Sequence, residues 1–105
     1  MIQVKILRLQ GLNEIHLEAS GHAGYAEPGR DIVCSAFSML WQNLAGSVRN
    51  LTKARVKDSL TNTGTHVLEF TPITDKRMLL LLESFRQGVQ SLQDAYPDCV
   101  QLAEY

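Results

Sequence analysis

Residues 31 to 50, DIVCSAFSMLWQNLAGSVRN, carry Val33, Phe37, Leu40, Trp41, Leu44 and Val48 at helical spacing. That period predicts an amphipathic helix from Asp31 to about Asn50 with its apolar stripe against a core. Asp31 stands where an N-cap belongs, because its short carboxylate can accept the unpaired N–H groups of the first turn. Upstream the period changes to two. A first strand is predicted over residues 2 to 9, and in NEIHLEAS (13 to 20) Ile15, Leu17 and Ala19 alternate with Glu14, His16 and Glu18. Gln10 to Asn13, QGLN, supplies the turn between them.

Downstream lies a second hairpin, with Ala54, Val56 and Leu60 in one run, NTG at 62 to 64, and Val67 to Thr71 in the other, ended by Pro72. Met78, Leu81, Leu82, Phe85, Val89 and Leu92 then form a helical stripe between Thr74 and Ala95. Pro97 separates that helix from a short last strand, CVQLAE (99 to 104). The order ββαββαβ implies an α+β sandwich: a largely antiparallel sheet whose apolar face lies beneath two principal helices. All 105 residues fit one domain, with no repeat, low-complexity segment or linker.

Ten basic and 11 acidic residues give a formal net charge of -1, which supplies no general attraction to a phosphate backbone or an anionic membrane. Direct nucleic-acid binding is therefore not expected. The small basic run Lys53, Arg55, Lys57 reads first as a solvated strand edge. Lys5 and Arg8 interrupt any signal-peptide core and no apolar run reaches membrane-spanning length, so a cytoplasmic protein with reduced Cys34 and Cys99 is expected. Cys99 reads as structural.

The chemistry concentrates where GHAGYAEPGR (21 to 30) meets the helix start. His22 should leave the end of the second strand, and Cys34 should lie in the helix's first turn, near free N–H groups and the positive end of the helix dipole. Those surroundings favour a thiolate, and a nearby imidazolium would favour it further. Each residue also has a plainer reading: Cys34 as a small buried side chain, His22 as a hydrogen-bonded strand end, Asp31 as a cap alone. Asp31 has the alternative task of orienting His22. Ser38, four residues after Cys34, shares its side of the helix; it either bonds back to the Cys34 carbonyl or lines a substrate site. The N–H groups of Cys34 and Ser35 are candidates for holding an oxyanion. Gly24 and Gly29 bracket Tyr25 to Pro28, which suggests a mobile loop that closes over an extended peptide. No paired CxxC or HxxxH spacing and no phosphate-loop pattern is present, so neither metal nor cofactor is expected. His16 and His66 read as solvated or structural.

The coupled segments GHA (21 to 23) and DIVCSAFS (31 to 38) resemble the bacterial ribosomal-processing cysteine protease family, Prp, over almost the full length of the chain. The resemblance implies His22 as general base and Cys34 as nucleophile, with Gly21, Asp31 and Ser38 at other motif positions. Ser35 follows the cysteine where the family commonly has alanine. The implied substrate is the N-terminal extension of large-subunit ribosomal protein twenty-seven, whose removal permits ribosome assembly, and a homodimer is a candidate assembly. Two other classes compete: a non-catalytic ribosome-associated module that binds RNA or protein, and a thiol redox sensor, which lacks a resolving cysteine close in sequence.

Overall fold

Two strands, β1 (Ile2–Leu9) and β2 (Glu14–Ser20), form the first hairpin around a short 3-10 turn at Gln10–Leu12. The structure, a computed structural model, describes residues 1–105. The chain continues through α1 (Ile32–Leu51), β3 (Arg55–Leu60), β4 (His66–Thr71), α2 (Lys76–Ala95) and β5 (Val100–Glu104). The five strands make one open sheet in the order β3-β4-β2-β1-β5. Every pairing is antiparallel except β1 with β5.

Strand alternation sorts the side chains into two faces. Ile2, Val4 and Ile6 of β1, Ile15, Leu17 and Ala19 of β2, and Leu68 and Phe70 of β4 are buried on one face in a single core. Both helices contribute to that core: Val33, Phe37, Trp41, Leu44 and Val48 from α1, and Met78, Leu82, Phe85 and Val89 from α2. Phe37 and Trp41 pack on Phe85 with ring centroids 6.4 and 6.1 Å apart, which joins the helices. Where they approach, a Cβ on Gly88 would come within 2.8 Å of a Leu40 methyl. The apolar stripe is what fixes each helix. A buried side chain of this size contributes about 1.5–3 kcal/mol, whereas the Asp75 cap on the Met78 N–H contributes about 1 kcal/mol.

The expected elements are present. Their ends shift by a residue or two, because capping side chains rather than the apolar period set them: α2 starts at Lys76 instead of Thr74, behind Asp75. β3 lies at the sheet's edge, and its Lys57 stands opposite Glu69 of β4. No helix is long and apolar enough to cross a membrane.

Candidate active site

α1 begins directly behind the loop that leaves β2, and this junction sets the surroundings of the Cys34 thiol. Cys34 is half-buried in the first helical turn, and its Sγ accepts a hydrogen bond from the Ala23 N–H at 3.3 Å. The donor's neighbour is His22, an exposed imidazole. Gly-His-Ala thus resolves into three physical tasks. Gly21 has φ +85°, and a Cβ there would run into the Met1 carbonyl oxygen, so only glycine makes the turn off β2. His22 supplies an imidazole, and Ala23, buried to 3% exposure, carries the N–H that meets the sulfur. Ala23 is the residue that sequence reasoning missed; its signal was a small side chain directly after the histidine.

Asp31 caps α1. Its Oδ1 accepts the N–H groups of Val33 and Cys34 at 3.0 and 2.9 Å. Its Oδ2 accepts those of Tyr25 and Ala26 at 3.1 and 3.4 Å. The Cys34 N–H above all, followed by those of Ala26, Tyr25 and Val33, holds the carboxyl below the ordinary aspartate range, against the opposing effect of its burial. One carboxylate therefore fixes both the helix start and the loop before it.

Two expectations change here. The orienting role considered for Asp31 has no contact to carry it, since both oxygens face backbone N–H groups and no ion pair joins it to His22. The amides of Cys34 and Ser35 are also committed: the first to Asp31 Oδ1, the second to the Asp31 carbonyl at 3.1 Å. An N-cap occupies the very donors that an oxyanion would need.

Two cavities, of about 410 and 650 Å³, open on either side of the thiol. His22, Cys34, Ser38 and Gln42 line both, so a polar stripe at four-residue spacing along α1 forms the ridge between them. The first cavity has Gly21, Phe37 and Trp41 in its wall and reaches across to Asp58 and His66 on the second hairpin. The second runs under the loop, along Gly24, Pro28, Gly29, Ser35 and Met39. Ser38 faces this shared space, with no bond back to the Cys34 carbonyl. Tyr25 turns away and meets Tyr96 edge-on, with centroids 5.3 Å apart. His66 therefore lies nearer the chemistry than its position beside a turn suggested, and Asp58 was not anticipated at all; hairpin register brings both there.

Elsewhere, Cys99 is buried in the core. Glu14, His16 and Glu69, on the sheet face away from the helices, bring one potential ligand atom each within 4.8 Å of one another. Neither cysteine belongs to that group.

A half-buried thiol at a helix start accepts an N–H and shares two open cavities with an imidazole, the residue types from which covalent catalysis can be built. The family model for cysteine protease Prp matches residues 1–101. The chain belongs to that family. A comparison with curated proteins gave no match. Among solved structures, the chain is similar to the essential ribosomal processing protease Prp from S. aureus in complex with a covalently linked product peptide. That likeness has a TM-score of 0.89 at 21% identity and covers the whole of both chains. The same protease in complex with a substrate peptide gives 0.82 at 20% identity, again over both whole chains. SMU.848 from Streptococcus mutans gives 0.75 at 29% identity, over 99% of this chain and 96% of that one. Membership of the family rests on the family match, while the likeness to the S. aureus structures is one of fold.

Proposed function

We propose that the chain is a cysteine endopeptidase with a His22/Cys34 dyad that removes the N-terminal extension of large-subunit ribosomal protein twenty-seven in the cytoplasm. The observation that carries the dyad is the Cys34 thiol, which accepts the Ala23 N–H at the start of α1 and shares both cavities with His22. Cys34 Sγ attacks the scissile carbonyl carbon, and its proton passes to His22. His22 then protonates the leaving amine, the C–N bond breaks, and a thioester remains on Cys34. Next His22 takes a proton from water, the hydroxide attacks the thioester, and the freed acid leaves as the thiol reforms. With the Cys34 and Ser35 amides committed to the cap, the side chains of Ser38 and Gln42 are the donors in the shared space for the developing oxyanion. Membership of the Prp family and the likeness to a ribosomal processing protease from S. aureus support a ribosomal protein as the substrate.

The test is incubation with the host's own ribosomal protein twenty-seven, followed by intact-mass measurement. We expect a single truncation that Cys34→Ala abolishes and Cys99→Ser largely retains, with His22→Ala slower by about a hundredfold or more. Equal loss in folded Cys34 and Cys99 variants would remove Cys34 as nucleophile. An uncut protein twenty-seven alongside Cys34-dependent cleavage of other peptides would remove only the substrate.

A further inference from the structure

The far wall of the smaller cavity carries a charge that neither the dyad nor the fold uses. Asp58 lies on the edge strand β3, in register with Leu68 of β4, whose side chain is in the core; Asp58 therefore stands on the helix side of the sheet. It lines the same cavity as Cys34 and His22, and it takes part in none of the chain's ion pairs. Phe37 and Trp41 line that cavity too, as nearly buried rings that show 7% and 8% of their surface. A cavity that combines apolar lining with a carboxylate in no ion pair matches one kind of side chain: a long aliphatic stem with a cationic head.

We propose that Asp58 is a specificity-determining residue that selects a lysine or arginine side chain of the peptide near the bond cut at Cys34; the inference rests on the protease reading above. The alternatives fit the wall less well. A purely apolar side chain would cover Asp58 and leave its charge without a partner, which costs free energy. An acidic side chain would meet it with like charge. A lysine or arginine fits its stem against the apolar part of the lining and brings its head to the carboxylate. The pair stays partly open to solvent, because Asp58 is exposed on its strand, so its effect is on selection rather than on the chemical step.

The test uses a peptide library prepared from the host proteome with a glutamate-specific protease, which leaves internal lysine and arginine intact. The library is cut by the wild-type chain, by Asp58→Asn and by Asp58→Lys, and the new ends are identified by mass spectrometry. The wild type should enrich lysine and arginine about fivefold at one position near the cut, the discrimination that a partly exposed charge pair supports. Asp58→Asn should erase that enrichment while the cut bond stays the same. Asp58→Lys should shift the same position toward aspartate, the acidic residue that this library retains inside its peptides. Cleavage that depends on Cys34 but shows no basic enrichment, or enrichment that survives Asp58→Asn, overturns this inference and leaves the protease reading standing. An absence of Cys34-dependent cleavage overturns both.

Discussion

Asp31 shows how much one side chain can organise. Its two oxygens take four backbone N–H groups, two from the helix and two from the loop, so cap and loop anchor are a single residue. Asparagine keeps an acceptor for Val33 and Cys34 but points an NH₂ at the Tyr25 and Ala26 donors. Asp31→Asn should therefore keep α1 and lose hydrogen-exchange protection at Tyr25 and Ala26, whereas Asp31→Ala should unfold at a lower temperature than either. The pH dependence has a definite sign. Because the carboxyl is held below its ordinary range, its contribution to stability is complete above about 3.9, the unfolded value. It is lost as pH falls through the lowered folded value. The gap in Tm between wild type and Asp31→Asn should stay level near neutrality and close only in that acid range; a gap constant down to the lowest measurable pH would show that the charge contributes nothing. The cap was legible in the sequence because Asp before an apolar helical stripe is a local signal. The loop anchor was not, since it needs the chain to fold back on itself.

At the scale of the elements, period two and period 3.6 were enough to find both helices and the strands that bury one face, while β3, which buries no residue fully, was legible from Val56 and the NTG turn after it. What they could not show was which strands lie side by side, and thus which polar residues meet on the outer face. Register places His16 opposite Glu69, with Glu14 and Glu18 on the same face of β2. Burial first, then the Glu69 charge, raises the Glu14 carboxyl above its ordinary range, while His16 and Lys57 work in the other direction. A raised carboxyl means that the ionised form costs stability in the folded state. The cost is absent below the unfolded value of about 4.3 and complete above the raised folded one. Glu14→Gln should therefore raise Tm at neutral pH, and the gain should disappear as pH falls toward about 4. Thermal unfolding followed by circular dichroism across that range checks it; a lowered Tm at neutral pH would mean that the attraction to His16 and Lys57 outweighs the burial.

The molecule as a whole brings the loop against a part of the chain some seventy residues away. The start of α1 holds the loop through Asp31 and Cys34, and Tyr96, at the end of α2, holds it through the edge-on contact with Tyr25. Gly24, at φ +70°, turns the chain between the sulfur anchor and the ring anchor. That long-range contact was illegible in the sequence, where Tyr25 read only as part of a loop that closes over a peptide. With the loop forming one wall of the larger cavity, a peptide lying across the His22–Cys34–Ser38 ridge would touch both the loop and α1. We expect closure of residues 23 to 30 over the peptide, with Tyr96 as a stop that orders the loop beforehand. An edge-on aromatic pair is worth about 0.5–1.5 kcal/mol, so Tyr96→Ala should raise KM roughly two- to tenfold, with a smaller effect on kcat, since binding must then order a looser loop. Hydrogen exchange on the Cys34→Ala protein supplies the structural measurement: a saturating peptide that spans the observed cut should slow exchange across 23 to 30, and Tyr96→Ala should speed it in the free protein. Exchange that peptide leaves unchanged, together with an unaltered KM in Tyr96→Ala, would make the loop a fixed wall of the cleft rather than a closing one.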